Sequence, residues 1–157
     1  MFKRIFGIGR TKHSDPIGEV YNQLRAFERL YGLAGLTVDY RAKAPPELIA
    51  RLYVLSNDTK TTVHLVRVLQ EKEYCEHLNK VIDPQKVVEE LGAEEAKRDA
   101  EDHYDAAKKF CHHIIDLGAT GQISKDPRVG AFLEANLGAI MTSAASYSMK
   151  FSRPPEP

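Results

Sequence analysis

The sequence predicts an all-α protein, a single-domain helical bundle of about five helices. Three observations carry that expectation. Apolar residues recur every three or four positions over most of the chain. Asp15-Pro16, Asp83-Pro84 and Asp126-Pro127 each pair an N-cap residue with a proline at the first helical position, where a missing N–H costs nothing. Glycine and Ser-Asn-Asp clusters then punctuate the periodic stretches where loops are needed. At 157 residues the chain suits one domain with its own core, placed at 14–151 between a basic tail at 1–13 and a proline-rich tail at 152–157.

Residues 1–13 mix Phe2, Ile5, Phe6 and Ile8 with Lys3, Arg4, Arg10 and Lys12. Such a segment either docks on its own domain or makes a weak peripheral membrane contact through residues 1–10, and two glycines weaken it as a helix. Ser14-Asp15-Pro16 opens a helix with Ile17, Val20, Tyr21, Leu24, Phe27 and Tyr31 inward, closed by Gly32. Leu36, Val38 and Tyr40 alternate with polar residues, a period of two that suits a short strand at 36–41 or an extended connection. Pro45 and Pro46 start a helix with Leu48, Ile49, Leu52 and Tyr53 inward, and Ser56-Asn57-Asp58-Thr59 breaks it.

Residues 59–82 are ambiguous. Thr61, Thr62, Val63, Val66 and Val68 favour a strand, whereas the later Gln-Glu-Lys-Glu-Tyr-Cys-Glu-His-Leu favours a helix. One helix capped by Asp58 is the simpler solution; strands near 36–41 and 62–69 give an α+β alternative. After Asp83-Pro84, Gly92 either divides or bends the next helix. The acidic stretch that follows has an apolar stripe of Ala96, Ala100, Tyr104, Ala107, Cys111, Ile114 and Ile115, alanine-rich at first, which places its early half at the bundle's edge in water.

The last helix, 126–150, is the expected organiser. No residue between Glu134 and Lys150 is charged, so the helix should be enclosed on most sides, packed against the helices beginning at Pro16 and Pro46. Small residues at Ala131, Ala135, Ala139 and Ser143, with Gly138 and Thr142 as a second ridge, suit a close helix contact within the chain or with a partner.

Lys plus Arg and Asp plus Glu are 22 each, so no global field draws the chain to nucleic acid or anionic lipid. The charge is nevertheless segregated: residues 1–72 carry 12 basic and 7 acidic side chains, and residues 83–117 carry 5 basic and 10 acidic. Two cysteines, Cys75 and Cys111, both in helical stretches, suit a reducing compartment. With no apolar run of membrane-spanning length, the expected location is the cytoplasm.

Chemistry-bearing motifs are sparse. The richest set is Cys75, His77, Asp99, His103, Cys111, His112 and His113, but Cys75 and His77 point apart on a helix and no paired zinc spacing occurs. Neither a nucleophile elbow nor a phosphate-binding glycine loop is present. Residues 48–69 can be drawn as helix, turn, helix with Thr59, Lys60, Thr62, His64 and Arg67 on a reading element, but cations there are few.

The function expected is therefore a non-enzymatic protein-protein interaction module, a small adaptor, regulator or inhibitor acting through a helical surface. The interface residues are Ala131, Ala135, Gly138, Ala139, Thr142 and Ser143. A protein partner or a second copy is expected, and neither nucleic acid nor an integral membrane position. No cofactor, metal or catalytic residue is assigned. The alternative is a metal- or ligand-binding enzyme or sensor using His103 and the Cys111-His112-His113 run.

Overall fold

The computed structural model describes residues 46–152, with Asn22 besides. Apart from Asn22, which is helical, the helix expected from Pro16 lies outside the described residues, as do the strand alternative at 36–41, the tail at 1–13 and, beyond Ser152, the tail at 152–157. Within them the protein is all-α: α1 (Pro46–Ser56), α2 (Thr59–Val81), α3 (Pro84–Leu91), α4 (Ala93–Ala119) and α5 (Pro127–Ser152). No strand occurs among the described residues.

The breaks follow from local chemistry. Asn57 takes a left-handed conformation (φ 52°), which asparagine tolerates better than most residues, and this ends α1. Asp58 then caps α2, its carboxylate accepting from the backbone N–H of Thr61 at 2.8 Å and of Lys60 at 3.3 Å. The Ser56 and Thr62 hydroxyls meet at 2.5 Å and pin the corner from inside. Asp83 caps α3 by accepting from Gln85 N–H at 3.1 Å. Gly92, at φ 88°, divides α3 from α4 instead of bending one helix, and the positive φ is what requires glycine there. Asp126 caps α5, accepting from Arg128 N–H at 2.8 Å.

Residues 62–69 are helical, and the strand alternative for them is overturned. Each of the residues from Thr61 to Val68 is buried, so this part of α2 is enclosed on every side. A strand preference worth a fraction of a kcal/mol per residue yields to burial on that scale. Among the described helices the most enclosed is thus α2, in place of the expected α5.

Helix α5 packs chiefly along α4 and α2 and touches α1 only lightly, which corrects the expected pairing with the Pro46 helix. Helices α4 and α5 run antiparallel, with Cys111 opposite Leu137 and His103 opposite Tyr147. Helices α2 and α5 run parallel, because Ser124 N–H donates to the Thr61 hydroxyl at one end and Asn79 Nδ2 donates to the Ser143 carbonyl at the other. Ile49, Leu65, Val68, Ile114, Ile123, Val129, Ile140 and Ala144 form the core between them. Ala96 and Ala100 are fully covered, so the early stripe of α4 is not bathed in water as its alanine content suggested; only the charged faces around it are. Alanine leaves so short a stub that a neighbour closes over it completely.

Candidate functional site

Two features of the described residues stand out: a polar seam inside the bundle and an apolar groove on its surface. The seam starts from spacing. His64, Arg67, Glu71 and Cys75 are three, four and four residues apart on α2, which aligns them on one side of the helix. All four are buried, Arg67 to 1 % exposure. On α4, His113 lies near enough to influence His64, Cys111 near enough to feel Glu71, and His103 meets Cys75; the backbones of α2 and α4 share few close contacts.

The electrostatics of the seam keep its groups neutral where that is possible. Burial pushes the His64 imidazole down to about 4, and the nearby His113, Lys60 and Arg67 reinforce the shift. Burial pushes the Cys111 thiol up to about 11, with the Glu71 carboxylate adding to it. Cys75 Sγ lies 3.9 Å from His103 Nε2. The His103 ring is held edge-on between Tyr74 (centroids 5.7 Å apart) and Tyr147 (5.2 Å). Burial raises the Tyr147 phenol, helped by Asp99 and Tyr74.

His103 therefore meets Cys75, and it is not brought together with the Cys111-His112-His113 run. The Cys111 thiol points to the Leu137 carbonyl at 3.8 Å, His112 is exposed, and His113 is half-buried near His64. Among the described residues no group of three or more His, Cys, Asp or Glu side chains converges as metal ligands would. The drawing of 48–69 as a DNA-reading unit also fails on burial: Thr62, His64 and Arg67 are inside, so α2 has no free face there to lay in a groove.

The second feature is a groove of about 390 Å³ between the end of α4 and the start of α5. Ile114, Ile115, Leu133 and Leu137 wall it, Gly118 and Gly130 keep it open, and Glu134 stands at its rim. Ile115 is 54 % exposed, although its sequence position suggests the core stripe. A Cβ added at Gly118 or Gly130 would meet nothing within 4 Å, so these glycines contribute a concavity and not a tight contact.

No family model, curated protein or solved structure matches the chain.

None of the expected interface residues lines this groove; they run along α5 from its walls toward the C-terminal end. Ala131, Ala135, Gly138 and Thr142 are exposed, and Ala139 and Ser143 are half-buried, Ser143 with its carbonyl bonded to Asn79. Ala131, Ala135, Gly138 and Thr142 therefore face outward from α5, continuous along the helix with Met149, which is 69 % exposed, whereas Ala139 and Ser143 turn partly inward. No helix among the described residues is long and apolar enough to cross a membrane. The groove escaped sequence reasoning because it needs two helix ends to meet; glycines within otherwise helical stretches at 118 and 130 are the one local signal of it. The buried seam escaped because polar residues hide the period of α2 instead of marking a solvent face.

Proposed function

We propose that the protein is a non-enzymatic interaction module whose working surface is the α4–α5 groove together with the outer face of α5, and that its occupant is a second copy of the chain. The observation that supports this is the uncharged outer face. Fifteen consecutive positions, 135–149, carry no charge, yet Ala135, Gly138, Thr142 and Met149 are exposed. Small side chains let two α5 helices approach closely. In an antiparallel pair with its two-fold near Thr142, Met149 of each copy falls opposite Ala135 of the other, seven residues on either side, beside the groove walls Leu133 and Leu137.

Sedimentation or light scattering at high micromolar concentration tests the reading. A dimer for the wild type and a folded monomer for Thr142→Lys is the expected result, since Thr142 is exposed in the single chain. A wild type that remains monomeric overturns it.

A ligand or metal held between helices has one observation in its favour, the buried approach of Cys75 to His103. Stoichiometric metal in protein purified without a metal column, lost in His103→Ala, would reverse the ranking.

A further inference from the structure

Helix α3 presents an amphipathic face that nothing among the described residues covers. Pro84, Val87, Val88 and Leu91 fall on one side of it, yet none of its residues is buried, and Val88 and Leu91 are 36 % and 50 % exposed. Its other side carries exposed Glu89 and Glu90 against one cation, Lys86, and the start of α4 adds Glu94, Glu95, which is paired with Arg98, and Lys97. The surface is thus an apolar strip bordered by negative charge.

We propose that residues 1–12 of the same chain occupy this strip. They have the complementary chemistry: Phe2, Ile5, Phe6 and Ile8 supply apolar side chains, and Lys3, Arg4, Arg10 and Lys12 supply four cations with no acidic residue among them. Phe2 and Phe6 cover Val88 and Leu91, while Lys3 and Arg4 lie against Glu89 and Glu90. Removing four apolar side chains and two exposed aliphatic ones from water drives the contact, and the opposed charges set its place and orientation. The tether permits it. Even with the expected helix from Pro16 to Tyr31, residues 13–45 reach up to about 80 Å, whereas α2 spans only about 35 Å. The strip is separate from the α4–α5 groove, so this contact and dimer formation through α5 stand or fall separately. Docked in this way, the tail shields the exposed apolar strip of α3, and its release would uncover two sticky surfaces at once.

Amide hydrogen exchange of the full-length chain tests the contact. In the wild type the amides of 85–91 should be protected beyond what an eight-residue surface helix achieves alone. Phe2→Ser with Phe6→Ser, or Lys3→Glu with Arg4→Glu, should speed their exchange on the order of tenfold while α5 amides stay unchanged. Adding Glu89→Lys and Glu90→Lys to the Lys3→Glu, Arg4→Glu chain should restore protection, which a nonspecific loss of stability would not do. Wild-type α3 exchanging at the rate of a free peptide, or variants leaving its exchange unchanged, overturns the proposal. Protection that falls on dilution assigns the strip to the tail of a second copy and overturns the intrachain contact.

Discussion

Cys75 of α2 and His103 of α4 meet across the interior of the bundle, sulfur to Nε2 at 3.9 Å, with Tyr74 and Tyr147 set edge-on to the imidazole on either side. The contact lies between two helices whose backbones share few close contacts, so side chains carry most of the connection. Both thiols of the protein are out of reach, since Cys75 and Cys111 are buried and joined by no disulfide. In the native protein neither should react with an aromatic disulfide reagent at pH 8 on the timescale of minutes. Cys111 is doubly protected, by burial and by a thiol pushed up to about 11. Both should titrate at once in denaturant. A rapid native reaction of either thiol would show that the seam opens readily.

The buried His64 makes stability fall in mild acid. The unfolded chain takes up a proton near 6.5, but the folded chain holds its imidazole neutral until about 4, mainly because of burial. Between these values the unfolded state binds more protons, so acidification favours it. Urea midpoints should show a loss of about 2 kcal/mol from this one group between pH 7 and 4.5. His64→Leu should flatten that part of the profile relative to wild type; identical slopes for the two proteins would contradict the assignment.

Gln70 is buried, and among the described residues neither its amide oxygen nor its amide nitrogen has a hydrogen-bond partner. Stripping an amide of water without replacement bonds costs about 1–3 kcal/mol. Gln70→Met keeps the shape and removes the cost, so it should raise the urea midpoint by the equivalent of about 1 kcal/mol. A destabilised variant would mean that the amide is bonded after all.

The two sides of α5 should respond oppositely to bulk. Ala144 is fully buried against the core, so Ala144→Leu should cost about 1–3 kcal/mol or more by overpacking. Ala135 is exposed, so Ala135→Leu should leave the melting temperature of dilute protein unchanged. Calorimetry on the two variants separates core from surface along one helix.

The fold class was legible because helix beginnings and ends are local events. Asp58, Asp83 and Asp126 each cap within three residues of their own position, and Gly92 ends α3 because only glycine takes its backbone angles easily. Enclosure was not legible, because it depends on neighbours that arrive from elsewhere in the chain. Residues 61–68 carry polar groups in every turn, and a reader of the sequence gives at least one face of such a segment to water. The bundle instead closes around them and makes α2 the centre.

The same reasoning separates what was seen at the surface. The sequence by itself determined that α5 has a long uncharged stretch and a row of small residues. Only the tertiary structure decided that Ala131 and Ala135 of this row, with Gly138 and Thr142, are exposed, because α4 and α2 pack on the side of α5 where Val129, Leu137, Ile140, Ala144 and Tyr147 already fill the available apolar contact. A helix has one circumference, and the larger side chains, which release more free energy on burial, took the inner part of it.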